Sequence, residues 1–174
     1  MKKIFLYTAV LIASLLFVTS CEKEKIGNTA TEKMAGEWYV TVVGVDANGK
    51  VVIEDADLYG LGKILLDTYN TSANSATEMW INDNNNFWNF KTKMTVDLKT
   101  LTFQATDVQN VAYDSKLTIT DGKILYGAAT TPSGVRADSI VFKVTFSDDT
   151  TPADKGFAAY RVAGFRFTGF TKDN

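Results

Sequence analysis

Residues 76–96, ATEMWINDNNNFWNFKTKMTV, carry the reading that decides the fold. In the first half Glu78, Trp80 and Asn82 share one face, and Met79 and Ile81 take the other. In the second half Trp88, Phe90, Thr92, Met94 and Val96 alternate with Asn89, Lys91 and Lys93. A two-residue period of this kind belongs to a strand with one face buried. Between the halves lies Asp83-Asn84-Asn85-Asn86, residue types that tolerate left-handed backbone at turns. The stretch is expected to form a β-hairpin, with Trp80 and Glu78 turned toward the core.

The same period recurs on both sides. Residues 36–45 place Trp38, Val40 and Val42 on one face and Glu37, Tyr39 and Thr41 on the other. A turn at 46–50 should return the chain into a second strand at 51–53, while 54–62 shows no period. Further strands are expected at 64–69, 101–105, 108–113, 116–120, 123–126 and 139–147, then a long aromatic one at 157–170. Loops are expected at 130–138 and 148–156. Short strands without an amphipathic helix or an internal repeat indicate an all-β domain. A sandwich fits, as does a closed antiparallel barrel of about eight or more strands. At about eight strands a barrel interior is either filled by side chains or holds one small ligand.

Composition narrows the function. The chain has 174 residues, net charge −2, one cysteine and no histidine. Lys91 and Lys93 are the nearest thing to a basic cluster, which argues against a nucleic-acid partner. Without histidine, Ser-His-Asp and Cys-His catalysis are excluded, and there is no Gly-x-Ser-x-Gly elbow. A paired-carboxylate site is formally possible, with Glu54, Asp55, Asp57, Asp67 or Glu78 as material. Zinc lacks its usual ligands, and the acidic stretches at 54–57 and 148–149 do not match an EF-hand loop. No catalytic residue, metal or cofactor is assigned, and the balance leans against an enzyme.

Lys2-Lys3 precedes an uncharged, largely apolar run at 4–18, too short to span a bilayer comfortably and of signal-peptide form. Val18-Thr19-Ser20-Cys21 then resembles the lipobox of bacterial lipoproteins. The resemblance implies cleavage before Cys21 and a lipid anchor on its sulfur; the alternative is a secretory signal with an incidental cysteine. The expected organisation is a signal peptide at 1–20, a lipidated tether at 21–33 and a β-barrel domain at 34–174. That places the protein in the cell envelope, at the outer membrane, with the periplasmic or surface face left open.

Gly36-x-Trp38 at the start of the body, with an arginine in the last strand, is similar to the lipocalin and wider calycin arrangement. There the arginine packs over the tryptophan and plugs one end of the barrel. Arg166 is the preferred candidate and Arg161 the other. The segments 35–40, 69–72, 80–83, 87–91 and 164–170 also resemble a family of Bacteroidetes lipoproteins described as lipid-binding putative hydrolases. The resemblance implies a lipid-like ligand, while the word hydrolase brings no residue with it.

The candidates for ligand contact are Tyr69, Glu78, Trp80, Trp88, Phe90, Tyr113, Phe142 and Phe165, since ligand pockets are mostly apolar and aromatic. Core packing competes for each of them, and an inward Glu78 would need a polar partner. One reading is a lipid-anchored barrel for a small hydrophobic or amphiphilic molecule. A second is an accessory module beside an envelope protein partner, showing an apolar outer face at Tyr39 and Val43. A third, hydrolase, rests on the family description alone.

Overall fold

A computed structural model describes residues 28–52 and 59–174. The signal segment, Cys21, and the carboxylates Glu54, Asp55 and Asp57 lie outside the described residues. Eight antiparallel strands close into a barrel in chain order: β1 (Gly36–Val45), β2 (Ile64–Asn70), β3 (Glu78–Asn82), β4 (Lys91–Asp97), β5 (Thr102–Gln109), β6 (Lys116–Thr130), β7 (Arg136–Phe146) and β8 (Ala159–Arg166). The last strand pairs with the first, Trp38 opposite Arg166 and Val45 opposite Ala159, so no edge is left open. A closed antiparallel barrel of eight strands is the calycin-like architecture.

Inward residues alternate along each strand: Trp38, Val40 and Val42 from β1, Met94 and Val96 from β4, Ile140, Phe142, Val144 and Phe146 from β7. They join one buried cluster that runs the length of the barrel. Trp38, Met79, Ile81, Ile119, Ile140, Phe142 and Tyr160 are all at 0% exposure. No water-sized void adjoins these side chains, so the interior they line is filled.

Several expected elements change. The hairpin at 76–96 is present, but its arms are shorter, and the inward face of its first arm is Met79 and Ile81. Thr92 and Met94 face inward on β4, and they lie opposite Ile81 and Met79. Paired residues share a face, so Trp80, opposite Lys93, is held outside. The expected strand at 51–53 reduces, among the described residues, to a single bridge between Val45 and Val51. The expected strands at 116–120 and 123–126 are one strand, β6. Asp121-Gly122, which falls between the two expected strands, is a bulge with Asp121 at φ 56°. There Gly122 lies against the Phe103 carbonyl and ring, where a Cβ would not fit. Residues 108–113 divide between the end of β5 and a loop, and 148–156 contains a short helix, α1 (Thr151–Lys155).

Candidate functional site

One end of the barrel is locked by polar bonds. The Trp38 indole donates to Thr68 Oγ1 at 2.8 Å, and that hydroxyl donates to the Met34 carbonyl at 2.8 Å. Arg166 lays its guanidinium over the Trp38 ring, 4.3 Å from the centroid. Its Nη1 donates to the Ala35 carbonyl at 2.5 Å, and its Nε to Asp138 Oδ2 at 3.1 Å. A side chain at Gly36 would occupy the place of Arg166 Nη1, which is why the residue two before the tryptophan has none. Met34, at 0% exposure, completes the floor. Arg161 takes no part: it lies at an outward position of β8, beside Val43 of β1 and Lys143 of β7.

The opposite end, the mouth, is closed by rings. Trp88 stacks on Phe146 at 5.2 Å and 17°. Phe87 meets Phe146 and Tyr160 edge-on at 5.8 and 5.0 Å, and Phe157 meets Tyr160 at 5.0 Å. Tyr59, 39% exposed, lies across Phe87, Trp88 and Tyr160. The rings carry their polar tips outward. Tyr160 donates to Asp149 at 2.6 Å and receives from Tyr59 at 2.7 Å; Tyr113 donates to Asp148 at 2.7 Å. Burial, then the bond to Asp149, then that to Tyr59, pushes the Tyr160 hydroxyl far above the usual phenol range. Burial and the Asp148 bond raise Tyr113 likewise.

The loop that presents Phe87 and Trp88 is built on Asp83, which is fully buried. Its carboxylate accepts four backbone N–H groups: Asn85 at 3.1 Å, Phe87 at 3.1 Å, Trp88 at 2.7 Å and Phe90 at 2.8 Å. Asn84, Asn85 and Asn89 supply the left-handed backbone at φ 53°, 61° and 50°.

The expected ligand-contact residues therefore separate. Trp88 lies at the mouth, Phe90 and Phe142 lie in the filled interior, and Tyr113 stands on the mouth's rim. Tyr69, Glu78, Trp80 and Phe165 do not line the interior. Tyr69 and Trp80 are cross-strand neighbours on the outside, with Lys91 Nζ 5.7 and 5.5 Å from their rings. Glu78 is half exposed beside Lys93, so it needs no buried partner. Phe165 packs edge-on to Tyr39 on the outer face. Tyr59, Phe87, Phe146, Phe157 and Tyr160 line the mouth and are not among the expected contacts. The signal available was the pair Asp148-Asp149 in a loop flanked by Phe146 and Phe157, acceptors placed between rings.

A solvent-open groove of about 520 Å³ runs outside the barrel, lined by Asp97, Phe103, Gln104, Asp121 and Lys123 among others. Asp97 is held below the usual carboxylate range by the Lys99 backbone N–H and the Thr100 hydroxyl. A carboxyl kept ionised in this way does not serve as a general acid near neutral pH.

A family model described as lipid-binding putative hydrolase matches residues 23–171. No curated protein matches the sequence.

Proposed function

The chain belongs to the family of lipid-binding putative hydrolases, and from that premise we propose that it is a lipid-anchored cell-envelope protein taking an acyl-chain-like ligand at the aromatic mouth. The observation that carries the reading is the contrast between the two ends. The plug end is tied by hydrogen bonds among buried groups, which are costly to leave unmade. The mouth is closed chiefly by ring contacts, which an alkyl chain replaces at the loss of two polar bonds, Tyr59 to Tyr160 at 2.7 Å and the Trp88 indole to Asp148 at 3.4 Å. Because the interior is filled, binding requires the rings of Tyr59, Phe87 and Trp88 to swing out and the chain to take their place. The hydroxyls and carboxylates of Tyr160, Asp148 and Asp149 then face the ligand's polar head.

The accessory-module reading needs a bare apolar face at Tyr39 and Val43. Val43 is buried, and Tyr39 is packed by Phe165 and Phe167 with Lys63 Nζ 4.8 Å from its ring. That surface gives the reading no support. The hydrolase reading has no catalytic group to name.

Native mass spectrometry of protein purified from cell envelopes tests the proposal. The expected result is a stoichiometric lipid mass, with higher occupancy in Trp88→Ala, which removes a ring that must otherwise leave. A clean ligand-free mass, unchanged after incubation with envelope lipids, would overturn it.

A further inference from the structure

Arg161 and Lys143 face each other directly across the β7–β8 pair on the outer wall of the barrel. Like charges directly opposite one another destabilise a sheet. Lys143 is compensated by Asp121 at 2.9 Å. Arg161 is not: among the described residues no carboxylate lies within ion-pair distance, and its Nε is buried with no acceptor. The other arginines of the barrel are satisfied, Arg166 by Asp138 and the Ala35 carbonyl, Arg136 by the Gly127 carbonyl. A buried guanidinium N–H without an acceptor is costly, and the native fold leaves few such groups. Gly49, at φ 82°, brings the 46–50 turn against the Lys143 ammonium, where a side chain would crowd it. That turn walls one side of the position.

We infer that Arg161 and Lys143 form an anion site on the outer wall, for a phosphate group. Nε is sealed from solvent, so the fork that meets two phosphate oxygens is Nη1 and Nη2, and the Lys143 ammonium, shared with Asp121, adds a third donor from across the strand. The site lies outside the barrel and does not depend on the ligand proposed for the mouth. Phosphate reaches it either free or as the head group of a phospholipid.

Equilibrium dialysis with inorganic phosphate, and with monomeric dihexanoylphosphatidylglycerol, separates those sources. Saturable binding of at least one is expected, weakened about tenfold or more in Arg161→Met and less in Arg161→Lys, which keeps the charge but not the fork. Binding of phosphate alone assigns the free ion; tighter binding of the lipid assigns the head group. Thermal unfolding provides the second readout. In phosphate-free buffer Arg161→Met should melt no lower than the parent, because it removes an orphaned donor and a like-charge pair. Phosphate, compared with chloride at equal ionic strength, should raise the midpoint of the parent more than that of the variant. Absence of saturable binding, or binding and stabilisation equal in Arg161→Met and the parent, would overturn the inference.

Discussion

Trp38 and Arg166 are direct partners across the seam that closes the barrel, and the guanidinium carbon sits 4.3 Å from the indole centroid. The pair therefore joins the first strand to the last and seals one end with the same contact. Trp38→Phe keeps the ring but leaves Thr68 Oγ1 without its donor. It should cost about 1–3 kcal/mol, whereas Trp38→Ala should cost about 3–5 kcal/mol. Urea unfolding monitored by circular dichroism measures both.

Gly36 and Gly164 separate two kinds of close approach. A Cβ at Gly164 meets the Tyr39 carbonyl, which is backbone and cannot move aside; at Gly36 it meets the end of Arg166, which can. Gly164→Ala should therefore destabilise by about 3 kcal/mol or more, and Gly36→Ala by about 1–2 kcal/mol. Adding Arg166→Ala to Gly36→Ala should recover part of the second loss and none of the first. A double-mutant cycle on unfolding free energies reads the difference.

Asp83→Ala leaves four backbone N–H groups of the 83–90 loop without their shared acceptor. A loss of about 3 kcal/mol or more is expected, since bonds to a charged acceptor contribute about 1.5–3 kcal/mol each and some are regained with water. Trp88 fluorescence should shift to the red in the folded variant, because the loop no longer holds that ring on Phe146.

The mouth should fail in alkali and the carboxy terminus in acid. The Tyr160 hydroxyl is raised in the folded protein by burial, Asp149 and Tyr59, from an ordinary value of 10.0. Its contribution is present below pH 10 and lost as the pH rises above it, because only the unfolded chain then ionises. Phenolate absorbance should show one tyrosine titrating only with unfolding, and Tyr160→Phe should remove that step. Asp173 moves the opposite way. Burial raises it, but bonds from Thr168 and from the Ser133 N–H and hydroxyl together lower it below its ordinary 3.8. The tie between residues 133 and 173 should persist at neutral pH and loosen as the pH falls below 3.8, read by amide exchange at Ser133.

The period-two alternation made the strands legible, and the separation of Gly36, Trp38 and Arg166 made the plug legible. What the alternation does not encode is which face turns inward when both are apolar. Trp80 on one side of β3 and Met79 and Ile81 on the other weigh nearly the same. The choice falls to the partner strand, where Lys91 and Lys93 on one face make the decision for Trp80. Asp121-Gly122 misled for a related reason: a turn and a bulge ask for the same residues, and only the pairing of β6 with β5 and β7 tells them apart. The mouth was least legible because Tyr59, Phe87, Phe146 and Tyr160 come from four separate segments and meet only after closure.

The pairing of β1 with β8 has a consequence for how the molecule comes into being. Every other pairing joins strands that follow one another along the chain, but the second edge of β1 must wait for residues 159–166. Until the end of the chain is available, β1 presents an unsatisfied row of amides, and Trp38 lacks the arginine that covers it. Closing so distant a pair late makes folding slow relative to helical proteins of the same size. A chain that stops short of residue 159 would not be a slightly damaged barrel but an open sheet, prepared to pair with the next copy it meets.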